Sequence, residues 1–219
     1  MWDSAMLAII VKGILETLYM TLFSTVLAYI IGLPLGVALV ITEKDSLLPN
    51  KWVNQILNVI VNITRSVPFL ILLIFIQPFT KLIVGTTIGS TATVVPLVVA
   101  AAPFIGRMVE SSIKELDKGV IEAALSMGAS PMQIIKKVML PETKPSLWVG
   151  ASITATTILG YSAMAGFTSG GGLGDIAIRY GFYRYQTEVM FVTVVLLVLI
   201  VQLLQAVGMR IATKQDKRK

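Results

Sequence analysis

The chain has no cysteine and no histidine among its 219 residues. Their absence removes disulfides, thiol nucleophiles, the usual zinc and copper ligands and the commonest general base. No catalytic residue, metal site or cofactor is therefore expected. Charge is scarce as well: 14% of residues are Asp, Glu, Lys or Arg, against about a quarter in a soluble domain. Apolar residues take their place. They make up 55% of the chain and the mean hydropathy is +0.83, which together imply an all-α integral membrane protein.

Basic residues outnumber acidic ones, 18 to 12, for a net charge of +6. They lie mainly between the apolar runs and in the tail RIATKQDKRK, where membrane topology accounts for them and no nucleic-acid partner is needed. The N-terminal MWDSAMLAII has no basic region ahead of its apolar stretch, so it reads as retained, the first span serving as its own insertion signal. With no internal repeat and no low-complexity tract, residues 1–219 read as one transmembrane domain.

A spanning helix needs roughly 20 mostly apolar residues, and five segments qualify: 14–41, 53–78, 91–109, 147–167 and 189–209. Gly32, Pro34 and Gly36 interrupt the first. The second carries Asn54, Asn58, Asn62 and Arg65 on one helical face. Such a stripe faces either a wet cavity or the aqueous interface, and the sequence leaves both open. In the fourth, Ser152, Thr156 and Gly160 form an i, i+4 line suited to close helix packing. The SGGGLGD run after it lacks the Lys-Ser/Thr ending of a phosphate loop and reads as a turn. The aromatic and basic residues beyond it suit the headgroup level.

With the N-terminus outside, Lys44, Lys51, Arg107, Lys114, Lys118, Lys136, Lys137, Lys144, Arg210, Lys214, Lys217, Arg218 and Lys219 fall in the cytoplasm. Only Lys12, Lys81, Arg179 and Arg184 fall outside. The positive-inside rule favours this orientation. It also places the polar loop 117–141, DKGVIEAALSMGASPMQIIKKVMLP, in the cytoplasm. Asp117 is a candidate helix cap, Gly128 a turning point, and Ser130, Pro131 and Gln133 a capping box that restarts a second helix ended by Pro141.

Within this loop, Glu122-Ala123-Ala124, then Gly128, then Leu140-Pro141 resemble the EAA loop of the membrane subunits of ATP-binding-cassette importers. The stretches NITRSVPFLILLIFIQPFTKLIVGTTIG, VPLVVAAAPFIGRMVE, GASPMQIIKKVMLPE and GYSAMAG are similar to the methionine-import permease subfamily. The resemblance covers essentially the whole chain. It implies a type I importer permease with five transmembrane helices, N-terminus outside and C-terminus cytoplasmic, in the bacterial plasma membrane. It also implies a homodimer, two ATPase subunits, an external substrate-binding protein, surrounding lipid and methionine as the small-molecule substrate. Another amino acid or small polar solute is the alternative cargo.

By the same resemblance, Glu122, Ala123, Ala124 and Gly128 are the residues that couple to the ATPase. Glu122 would meet a basic group there; from the sequence pattern alone it would be only a solvated helix residue. Candidate pathway residues are Asn62, Arg65, Pro68, Gly160, Tyr161, Ser162 and Met164, the last four near the outer closure, where the flexible thioether of Met164 plugs irregular space. A secondary transporter would carry an intramembrane acid and paired repeats, whereas Glu16 is the one acid near a span. A membrane enzyme would need a cluster of nucleophile, base or metal ligands.

Overall fold

A computed structural model describes residues 4–215. Among these every regular element is helical; Lys217, Arg218 and Lys219 of the tail lie outside the described residues. The chain is built round two long helices, α1 (Ser4–Ile41) and α5 (Ser90–Lys114), packed along one another. The 38 residues of α1 extend about 57 Å at 1.5 Å per residue, well over the roughly 30 Å of a hydrocarbon core. Gly32, Pro34 and Gly36 do not interrupt it, contrary to expectation. The two glycines are instead where α5 comes closest. A Cβ at Gly32 would lie 2.7 Å from the Ala102 carbonyl oxygen, and one at Gly36 would lie 2.5 Å from the Gly106 carbonyl oxygen and from Val109 Cβ. The pair is a small-xxx-small seam that lets two backbones meet, flanked by the fully buried Leu97, Ile105 and Val109.

The second expected span is broken. Helix α2 (Lys51–Ser66) and helix α3 (Phe69–Phe75) meet at 103°. Pro68 is the cause: its ring drives the preceding residue out of the α region, and Val67 is extended at φ −82°, ψ 124°. After α3 the chain continues into α4 (Gln77–Val84), which ends at Gly85 in a left-handed conformation. Among the described residues three helices are long and apolar enough to cross a membrane, α1, α5 and α11 (Thr187–Gln215), or four if the bent α2–α3 pair counts as one.

The fourth expected span is α9 (Lys144–Met164), 21 residues long and rich in hydroxyls. Its small-residue line divides. Ser152 is buried against α11, where a Cβ on Gly208 would collide with it at 2.5 Å, whereas Gly160 has open space beside it. Most of α11 is exposed, and it lies at the periphery with its inner edge on α9.

The glycine run after α9 is a turn, as expected, but the segment it leads into does not lie on the surface. Gly171 and Gly172, both at positive φ, open α10 (Gly172–Ile176), whose five residues are all buried. Leu173 and Ile176 join Met6 and Ile10 of α1 in a second apolar cluster. The N-terminal amides of α10 are satisfied from α1: Gly172 N–H donates to Glu16 Oε2 at 2.8 Å and Leu173 N–H to Thr17 Oγ1 at 2.9 Å. Glu16 is thus a helix cap as well as the i, i+4 partner of Lys12 at 3.7 Å.

Candidate functional site

Loop 117–141 folds on local signals. Asp117 Oδ1 accepts from Gly119 N–H at 2.8 Å and starts α6 (Lys118–Ser126). The end of α6 is a Schellman motif: Ala129 N–H donates to the Ala124 carbonyl at 3.1 Å and Gly128 N–H to that of Leu125 at 2.9 Å. Gly128 supplies the required left-handed residue at φ +78°, and a Cβ there would meet nothing within 4 Å. Its glycine requirement is therefore conformational and not steric.

Ser130 and Gln133 then form the expected capping box, Ser130 N–H donating to Gln133 Oε1 at 2.8 Å and Gln133 N–H to Ser130 Oγ at 3.4 Å. The helix they start, α7 (Pro131–Ile134), does not stop at Pro141. It passes through a π-helical turn (Ile135–Met139) into α8 (Leu140–Glu142) and on to α9. The wider turn takes up a proline that has no N–H and whose ring crowds the preceding turn. The loop therefore runs into α9 through the single turn residue Thr143.

Of the EAA residues, only Ala124 is buried, packed in the core with Ile134, Ile135 and Met139 beneath the loop. Glu122 and Ala123 are exposed, and the Glu122 carboxylate has no ion-pair partner among the described residues. Met127 and Met132 are exposed on the same projection. A rigid, self-capped handle anchored by Ala124 thus offers one carboxylate and flexible apolar side chains to whatever meets it.

The first half of the polar stripe of α2, Asn54 and Asn58, is half-buried and hydrogen-bonded within the subunit, whereas Asn62 and Arg65 are exposed. Asn54 Nδ2 donates to the Leu39 carbonyl at 2.7 Å and to Thr42 Oγ1 at 3.1 Å, and Asn58 Nδ2 donates back to Asn54. Arg107 of α5 donates to Asn58 Oδ1 at 2.7 Å, to Asn62 Oδ1 at 2.8 Å and to Glu110 at 2.6 Å. Lys114 completes the chain, 3.0 Å from Glu110 and 3.0 Å from Glu43. One ladder of polar groups ties the end of α1, α2 and α5 together. Asn62 is thereby engaged with its own subunit, and only Arg65 of the stripe remains exposed without an ion-pair partner among the described residues. Arg107 and Lys114 read from the sequence only as cytoplasmic charges and Glu110 was not singled out, although the i, i+3, i+7 spacing of the three on one helix was a usable sign.

The remaining candidates fall into two groups. Tyr161 stacks on Phe69, centroids 4.5 Å apart and planes 5° off parallel, which brings α9 to Pro68 at the bend. Gly160 and Met164 are exposed on the face of α9 that also carries Ile153 and Thr157. Ser162 does not belong with them. It is 1% exposed and donates to the Leu159 carbonyl at 2.7 Å, so it is a packing residue turned into the subunit. Two positions from either Gly160 or Met164, it lies on the other side of a 3.6-residue helix.

The comparisons agree with this geometry. Residues 28–219 match the family model described as binding-protein-dependent transport system inner membrane component. The chain is 51% identical to the methionine import system permease protein MetP of Bacillus subtilis, over 93% of this chain and 91% of that one. It is 49% identical to the probable D-methionine transport system permease protein MetI of Vibrio cholerae, over 93% and 90%. Among solved structures, a chain of the inward-facing MetNI methionine ABC transporter (CY5 native crystal form) superposes with a TM-score of 0.97 at 47% identity, covering 98% of this chain and 100% of that one. The all-helical fold, the close relatives and the family match converge: this chain belongs to the binding-protein-dependent transport system inner membrane components, multi-pass proteins of the bacterial inner membrane.

Proposed function

We propose that the chain is the permease subunit of an ATP-driven methionine importer. The observation that carries this reading is its likeness, over nine-tenths of its length, to permeases named for methionine and to a chain of a methionine transporter of known structure. Two copies form the transmembrane pathway, each docks on one ATPase subunit, and an external binding protein delivers the substrate. Five crossings accommodate the elements: α1, the α2–α3 pair, α5, α9 and α11, with the N-terminus outside and the C-terminus in the cytoplasm.

Glu122, Ala123, Ala124 and Gly128 form the coupling element. Glu122 meets a basic group on the ATPase, Ala124 anchors α6 and Gly128 sets its exit. Closure of the ATPase pair on ATP pushes α6 and α7, and the helical continuity of α7 with α9 carries that push to the face bearing Gly160, Tyr161 and Met164. Pro68 lies at the bend that Phe69 brings against Tyr161, Asn62 and Arg65 extend the proposed pathway along α2, and Ser162 is left out of it. Opening outward admits methionine and hydrolysis returns the bundle inward, the general logic of a two-state element biased at one end. The direct test is accumulation of radiolabelled methionine in vesicles. It is expected only with the ATPase, ATP and the binding protein present; accumulation driven by a proton gradient alone would overturn the reading.

A further inference from the structure

We propose that the groove between α1 and α9 is a binding site for an anionic phospholipid of the cytoplasmic leaflet, with an acyl chain along the groove and the phosphate on Lys144. The groove has a volume of about 580 Å³, and its walls include Ile30 and Pro34 of α1 and Leu147, Trp148 and Ala151 of α9. The hydroxyls that could interrupt this surface are already engaged, that of Tyr29 donating to the Leu147 carbonyl at 3.1 Å and that of Thr25 to the Thr21 carbonyl at 2.6 Å. The site therefore presents hydrocarbon along its length and one cation at one end. Lys144 is exposed and has no ion-pair partner among the described residues. Trp148 stands one turn further along α9, 41% exposed, as interfacial tryptophans do. An apolar body with a single cationic end is complementary to a lipid tail with a phosphate head, and to neither a polar solute nor another apolar helix.

The placement of the groove on α9 argues for lipid and against a second copy of the chain. Lys144, Leu147, Trp148 and Ala151 recur at i, i+3, i+4 and i+7, whereas Ile153, Thr157, Gly160 and Met164 form their own stripe at i, i+4, i+7 and i+11. At 3.6 residues per turn the two stripes are about half a turn apart. If the second faces the pathway and the partner subunit, the first faces lipid. The inference rests on the proposed function in this respect. Lys144 also heads the helix that continues from the coupling loop, so a lipid held there sits against the element that carries the push.

The test uses the full chain with Trp2 and Trp52 replaced by Phe, leaving Trp148 as its sole tryptophan, in phosphatidylcholine vesicles that contain either phosphatidylglycerol or phosphatidylcholine brominated on the acyl chains. Brominated phosphatidylglycerol is expected to quench Trp148 more, with an enrichment of about fivefold, what one basic residue near an anionic surface supplies. The preference should vanish in Lys144→Gln and persist in Lys136→Gln, a basic residue outside the groove. Equal quenching by the two lipids, or loss of the preference in both variants alike, would overturn the proposal while leaving the importer reading intact. No quenching by either lipid would show that this face does not meet lipid at all and would overturn it together with the assumed arrangement of α9. Methionine accumulation by the unlabelled wild-type vesicles tests the transport reading separately.

Discussion

Gly128 and Arg107 mark the two extremes of what one residue contributes. Gly128 occupies a left-handed conformation with open space around it, so Gly128→Ala should cost about 1 kcal/mol through backbone strain alone, and Gly128→Asn less. Thermal unfolding of the purified chain in detergent checks the order. Arg107 makes three side-chain bonds across α2 and α5. Arg107→Ala should cost about 2 kcal/mol, below the figure for a buried pair because Lys114 still reaches Glu110 and the guanidinium is partly solvated. Arg107→Lys should recover only part, since a point charge cannot fork between Asn58 and Asn62. Gly128 was legible from the sequence because capping is a matter of a few neighbouring residues. Ser162 was not, because the direction it faces depends on which partner α9 packs against, and one helix alone does not say.

Elements whose limits are set by local chemistry were read closely, and those shaped by packing were not. The ends of α6 and the start of α7 fall where Asp117, Gly128 and Ser130 require. The bend at Pro68 was legible in principle from the restriction on Val67, yet apolar composition masked it. The π-helical turn before Pro141 and the burial of α10 depend on α9 and α1, which no local pattern encodes. The glycines of α1 read as interruptions because their value is in the contact with α5. That contact gives a test: Gly36→Val drives a side chain into Val109 and the Gly106 carbonyl and should cost about 1–3 kcal/mol or more as overpacking. Gly160→Ala, with nothing within 4 Å, should leave the folded subunit's stability within about 0.5 kcal/mol of wild type. Unfolding midpoints of the two variants measured side by side decide it.

At the scale of the molecule, the absence of cysteine makes topology directly measurable. In the proposed orientation, Ala129→Cys should react with an impermeant maleimide only in inside-out vesicles, and Thr86→Cys, in the connection before α5, only in right-side-out ones; the reverse pattern would invert the assignment. The central claim is that an exposed loop, rigid by its own caps and continuous with α9, passes motion from an ATPase to the pathway. Glu122 tests it most directly, because its carboxylate has no ion-pair partner among the described residues and its loss should not disturb the fold. The measurement is ATP-driven methionine accumulation by Glu122→Ala in vesicles with the ATPase and binding protein. The expected result is a fall of about tenfold or more, the loss of one charge-assisted contact worth about 1.5–3 kcal/mol, with an unchanged unfolding midpoint and weaker co-purification of the ATPase. Wild-type accumulation together with wild-type ATPase binding would contradict the account.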